Sequence, residues 1–205
     1  MNERPETTPH HLRHAARALF ATHGYDGTSI REITAAAGAN LGAVTYHFGS
    51  KQELYNQVVA EAVEPLAAAV TSAISSQADV MARIAALVRA YFEQISADED
   101  TGRVMVQAMV IGKQPPPVAI AGIRTIHAAL VGLVTEGQHA GVIRDGDPRL
   151  LGLSIVSVPL RLALVRRVLK ANAGIDLDND DEREAAIQHA IRFVSEALAR
   201  HTGNP

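Results

Sequence analysis

Apolar residues recur at helical spacing along almost the whole chain, and capping residues, glycines and prolines cut the pattern into about nine stretches. Thr8-Pro9 is a cap followed by a proline suited to a first helical turn, and Leu12, Ala15, Ala16, Leu19 and Phe20 form one stripe, which predicts a helix over 9–23. Ser29 and Glu32 stand at capping-box spacing, with Ile30, Ile33, Thr34 and Ala37 on one face and Gly38 as the stop, so a second helix is predicted between them. Asn40 is expected to cap a very short third helix. In it Val44 turns inward while Leu41, Gly42, Ala43, Thr45, Tyr46 and His47 face elsewhere. Ser50 and Glu53 repeat the capping box and open a helix to about residue 75. Pro65 lies inside it and predicts a kink.

Further helices are predicted over 80–97 behind the cap Asp79, over 101–112, over 117–139, over 147–170 from Asp147-Pro148, and over 181–201. No alternating strand pattern competes with them, so the fold class is all-α. The helix from Asp147 is apolar nearly all round, from Leu150 and Leu151 to Leu162 and Leu164. A body this small cannot cover every face of such a helix, which implies a partner surface.

Two short helices joined by a glycine turn and followed by a capped third are the layout of a helix-turn-helix. Small residues at the start of the very short helix allow a close backbone approach to a DNA groove, where helix N–H groups also favour phosphate. Tyr46, His47 and Lys51 supply donors suited to the phosphate backbone, which fixes register without reading sequence.

The stretch from Gly38 to Leu54, GANLGAVTYHFGSKQEL, resembles the signature of the TetR (tetracycline-repressor-like) family of bacterial transcriptional regulators. The resemblance extends back through Leu12, Ala15, Ala16, Leu19 and Phe20, then His23, Gly24, Tyr25 and Gly27-Thr28-Ser29, covering about the first quarter of the chain. It implies a three-helix DNA-binding head, residues 1–52, on an all-helical ligand-binding and dimerisation body, residues 53–205. It places Thr28, Ser29, Arg31, Leu41, Gly42, Ala43, Thr45, Tyr46, His47 and Lys51 toward DNA. Leu41 stands where the family often has a basic residue and offers no bidentate hydrogen bond, so base reading is expected to rest on Arg31, Thr45 and methyl contacts. The resemblance also implies a homodimer through the last two helices, since two heads must meet successive major-groove faces of a palindromic operator in double-stranded DNA.

For the body, an apolar cavity for a small-molecule effector is expected between helices, with Tyr91, Phe92, Met105, Met109, His127, Ser157 and Arg161 as candidates to line it. The methionines adapt to irregular shapes. Arg161, set in an apolar run, would be costly to bury without an anion. These features predict a ligand-responsive, sequence-specific regulator, a repressor released from its operator by the effector. The alternative is a helical adaptor that keeps the head's fold and binds protein.

Composition narrows the picture further. The chain has 205 residues, a net charge of −3 and no cysteine, which excludes disulfides and thiol catalysis. Residues 1–60 hold five Lys/Arg and five Asp/Glu, so a strongly basic footprint is absent. Five of the nine histidines, His10, His11, His14, His23 and His47, lie there, and affinity for DNA is expected to rise in mildly acid solution. His10, His11 and His14 are read as solvated histidines, not a zinc site, and Asp176, Asp178 and Asp180 lack the glycine and glutamate of a calcium loop. No cofactor is expected. No serine-hydrolase elbow, phosphate-cradling loop or zinc-protease motif suggests an enzyme. The polar start carries no secretory signal and the apolar run 150–160 is too short to span a bilayer, so the expectation is a cytoplasmic protein with no membrane partner.

Overall fold

A computed structural model of the chain describes residues 7–75, 79–108 and 115–200. Among the described residues ten helices run in the order α1 (Thr7–His23), α2 (Ile30–Ala36), α3 (Ala43–Phe48), α4 (Lys51–Ile74), α5 (Val80–Ser96), α6 (Glu99–Val106), α7 (Pro117–His139), α8 (Pro148–Leu164), α9 (Arg166–Ala173) and α10 (Asp180–Leu198). Two compact units result, Met1–Glu64 with Asp98–Gly122, and Pro65–Ala97 with Ile123–Pro205.

In the first unit α1 packs on α2, α3 and α6. The stripe anticipated on α1 is turned inward, Leu12, Ala16 and Phe20 being fully buried with Ile33, Val44, Leu54 and Val58. Arg13 pairs with Glu61 at 2.7 Å and Arg17 with Asp98 at 3.3 Å. Asp98 also caps α6 by accepting from the Asp100 N–H, so this helix starts at Glu99, two residues ahead of the expected start.

In the second unit α5 packs on α8 and α10, which also pack on each other. Ile84, Leu87, Val88 and Phe92 of α5 are buried, as are Ile155 of α8 and Ile187, Ala190 and Val194 of α10. A Cβ on Gly152 would stand 3.1 Å from Leu130 Cβ, so glycine permits the close approach of α8 to α7. Between α7 and α8 the segment 142–146 pairs with the end of α10: the Arg144 N–H donates to the Leu198 carbonyl at 2.9 Å, and that of Arg200 to the Val142 carbonyl at 3.1 Å.

The single helix expected over 147–170 is two helices, which raises the count from nine to ten. α8 ends at Leu164 and α9 departs from it by 64°. The bend brings the Arg166 guanidinium to the Ser96 carbonyl at 3.4 Å and to Asp178 at 2.9 Å, tertiary contacts that local periodicity does not encode. The last helix spans Asp180–Leu198, capped by Asn179, whose side chain accepts from the Asp181 and Glu182 N–H groups.

The membrane expectation rested on one apolar run, but α4 and α7 are each long and apolar enough to cross a bilayer by length and composition. Their apolar side chains include Leu54, Val58, Val59 and Val63 on α4 and Leu130, Leu133 and Val134 on α7, all buried inside the protein. Of each apolar stretch, 33% is buried on α4 and 28% on α7.

Candidate nucleic-acid interface

The segment from Gly24 to Lys51 is built by local rules. Gly24 takes φ 70°, and Thr28, buried, donates its hydroxyl to the Gly24 carbonyl at 2.8 Å. At Gly27 a Cβ would meet the His23 carbonyl oxygen at 2.4 Å, so only glycine fits. The capping box then forms in full: the Glu32 N–H donates to Ser29 Oγ at 3.2 Å and the Ser29 N–H to Glu32 Oε2 at 2.7 Å. These bonds hold the Glu32 carboxyl below its usual range.

After α2, Gly38 at φ 64° reverses the chain, with the Ala39 N–H closing on the Thr34 carbonyl at 2.9 Å. The short helix starts later than expected. Asn40 does not cap it with its side chain; its carbonyl accepts from the Ala43 N–H at 2.9 Å, so residues 40–43 form a turn and α3 begins at Ala43 with Gly42 as cap. Val44 and Phe48, both buried, anchor this helix of six residues. Phe48 was missed by the sequence reading, although its spacing of four from Val44 marks it as the second anchor.

Tyr46 projects from α3 with 85% of its surface exposed, Leu41 is 55% exposed, and Arg31, Gly42 and Thr45 are exposed. His47 is half-buried, its ring 4.8 Å from that of Tyr46 and nearly perpendicular to it. Ala43 is half-buried and Ser29 exposed. Arg31 has no ion-pair partner among the described residues. Beside α3 lies a groove of about 530 Å³ whose walls include Thr8 and His11 from α1, Gly38 and Asn40 from the turn, and Tyr46 and His47. Thr8 and His11 were not anticipated there, because the turn of the chain that brings α1 alongside α3 is a tertiary feature.

Three of the anticipated DNA-facing side chains are engaged within the protein, Ser29 through its capping oxygen, Thr28 and Lys51. Thr28 is buried, as described. Lys51 donates from Nζ to the Tyr25 and Thr28 carbonyls, each at 2.9 Å, and stands 4.0 Å from the centroid of the Tyr25 ring. The Tyr25 ring in turn packs on Tyr55, at 4.9 Å between centroids, and Tyr55 packs on Phe20 at the same distance.

The anticipated effector contacts within the described residues lie on α5, α6, α7 and α8. Tyr91 and Phe92 are buried, Phe92 against Leu177 and Ile187 as core, and burial raises the Tyr91 hydroxyl pKa to about 12. Met105 is buried in the first unit and His127 is half-buried on α7. Met109 lies outside the described residues. Ser157 and Arg161 do come together, lining a cavity of about 350 Å³ with Leu162, Leu169, His189 and Phe193. Arg161 is exposed, not enclosed, so within one chain its charge is solvated and needs no anion to offset burial. Phe193, 54% exposed, was missed; its signal is a large aromatic lying off the Ile187, Ala190, Val194, Leu198 stripe. No three His, Asp or Glu side chains converge on a metal position among the described residues.

Residues 12–58, from α1 into α4, match the sequence pattern of bacterial regulatory proteins of the tetR family. The transcriptional repressor AcnR of Corynebacterium efficiens is 36% identical over 53 residues, 26% of this chain and 28% of AcnR, so the chain spans little more than a quarter of that relative. The transcriptional activator FasR of Mycolicibacterium smegmatis is 32% identical over 182 residues, 88% of this chain and 78% of FasR. Among solved structures, the ketosteroid transcriptional regulator KstR2 of Mycobacterium tuberculosis superposes with a TM-score of 0.76 at 21% identity, covering 98% of this chain and 97% of its own. From the exposed short helix, the pattern over residues 12–58 and the length of the FasR match, the chain belongs to the TetR family of bacterial regulatory proteins.

Proposed function

We propose that this protein is a sequence-specific transcriptional regulator of the bacterial cytoplasm that binds a palindromic operator as a homodimer and is released by a small-molecule effector. The observation that carries the reading is the split on α3, where Val44 is fully buried and Tyr46 is 85% exposed. A helix of six residues has little stability of its own, so its inner side chains fix it while the outer ones are free to enter a groove. In this reading residues 1–52 bind DNA and residues 53–205 bind effector and partner. Ser29, Arg31, Leu41, Gly42, Ala43, Thr45, Tyr46 and His47 face the duplex, and Arg31 and Thr45 reach bases.

The partner surface is the outer face of α8 and α10. Leu150, Leu153, Ser154, Ser157, Arg161 and Leu164 follow one another along α8 at helical spacing and are all exposed. His189, Arg192, Phe193, Glu196 and Ala197 do the same on α10. An outer face with Leu150 65%, Leu153 50% and Phe193 54% exposed is suited to a second copy, which would cover it by two-fold symmetry. Effector binding acts by favouring a state in which the two heads are wrongly spaced, and it weakens DNA binding by the difference in effector affinity between the two states.

Selection of duplexes from random-sequence DNA by the purified chain tests the proposal. Recovery of an inverted repeat, with affinity that falls as salt rises, supports it. Recovery of no preferred sequence at low salt contradicts it and leaves the adaptor reading.

A further inference from the structure

We infer that Lys51 is a positioning residue for the DNA-binding surface, acting as an internal staple between the start of α4 and the loop that launches α2, and is not a phosphate contact. This inference rests on the proposed DNA-binding function for its consequence, and on geometry alone for the staple itself. The ammonium group donates to the Tyr25 and Thr28 carbonyls at 2.9 Å each, across 26 and 23 residues of chain, and sits 4.0 Å over the Tyr25 ring. Two carbonyl acceptors and an aromatic face surround one cation, which leaves at most one N–H for any outside partner.

Few side chains of the loop it holds are buried. Between His23, the end of α1, and Ile30, the start of α2, the only buried residues are Gly24 and Thr28. Gly24 is left-handed, Gly27 has no space for a Cβ, and the Thr28 hydroxyl is turned back on Gly24. These constraints give the loop its shape; Tyr25 rests its ring on Tyr55 of α4, and Lys51 adds the hydrogen bonds that fix the loop backbone to that helix. Because Ser29 caps α2 directly after Thr28, a shift of the Thr28 carbonyl moves the start of α2, and α2 packs on α3. Removing the staple therefore misplaces the helix that carries Tyr46 without removing any group that touches DNA.

Lys51→Met tests this by two measurements on the full chain, with Lys51→Gln as the second variant should the first fail to fold. In amide hydrogen exchange, residues 25–29 are expected to exchange about tenfold faster than in the wild type while Phe20 on α1 is unchanged. On a duplex selected by the wild-type chain, affinity is expected to fall about tenfold with the slope of log affinity against log salt unchanged. A slope shallower by about 0.9 identifies a phosphate contact and overturns the assignment. Unchanged exchange overturns the staple, and faster exchange with wild-type affinity overturns its positioning role. If the wild-type chain selects no duplex, the DNA-binding proposal is what fails, and the exchange measurement still decides the staple.

Discussion

Val44 and Tyr46 stand two residues apart on one short helix and at opposite extremes of exposure, 0% and 85%. The first gives α3 its place and the second gives it something to present. Substitutions at the two positions are therefore expected to separate stability from binding. Val44→Ala loses on the order of 2 kcal/mol of stability in urea unfolding, because a fully buried side chain leaves a cavity. Tyr46→Ala stays within about 0.5 kcal/mol of the wild type in the same assay but binds a selected duplex about five- to tenfold more weakly.

Gly27 gives a second, sharper stability prediction. Gly27→Ala places a methyl where the His23 carbonyl oxygen already stands, 2.4 Å from an ideal Cβ, and that oxygen belongs to the backbone. The loop must open to relieve the overlap. A loss of about 1–3 kcal/mol is expected in chemical unfolding, whereas Gly42→Ala, with open space around the added atom, leaves stability within about 0.5 kcal/mol.

Acid sensitivity of the second unit follows from the bidentate pair between α5 and α10. Arg89 Nη1 and Nη2 donate to Glu184 Oε2 and Oε1 at 2.7 and 2.5 Å. Those hydrogen bonds are the largest cause of a Glu184 pKa held at about 2, against an ordinary 4.5. A carboxyl depressed in the folded state contributes stability above its unfolded pKa and loses it as pH falls toward the folded one. The contribution of Glu184 is thus complete above pH 4.5 and fades between 4.5 and about 2. Glu184→Gln is expected to be less stable than the wild type at neutral pH, with the gap narrowing through that window in acid unfolding titrations.

Phe193 tests the partner surface. It is exposed on α10 beside the exposed stripe of α8, and Phe193→Arg places a charge on a face proposed to be covered by its own copy. Sedimentation is expected to show a shift from dimer to monomer, with helical content unchanged. A wild-type chain that sediments as a monomer at micromolar concentration contradicts the surface directly.

What was legible in the sequence was what nearby residues settle among themselves. The Ser29–Glu32 box, the Gly38 reversal, the Asp79 and Asp147 caps and the stripe on α1 depend on partners within a few positions, and each takes its expected form. The start of α3 was misread because Asn40 uses its carbonyl in a turn where its side chain was expected to cap. The break at Val165 was invisible because it is stabilised by Arg166 reaching Ser96 and Asp178. Lys51 was assigned outward for the same kind of reason: its acceptors are two backbone carbonyls more than twenty residues away, and carbonyls leave no trace in residue type. Arg161 shows the converse, since an apolar neighbourhood in sequence was taken for burial, whereas the helix turns that residue to the surface.

Whether α3 enters the major groove of a duplex is read directly by dimethyl sulfate protection of guanine N7. On a duplex selected by the wild-type chain, protection is expected at two sites about 34–36 Å apart, one helical turn, or a multiple of it. Binding that leaves every guanine N7 as reactive as in free DNA would contradict groove entry, because the helix would then lie outside the groove it is proposed to read.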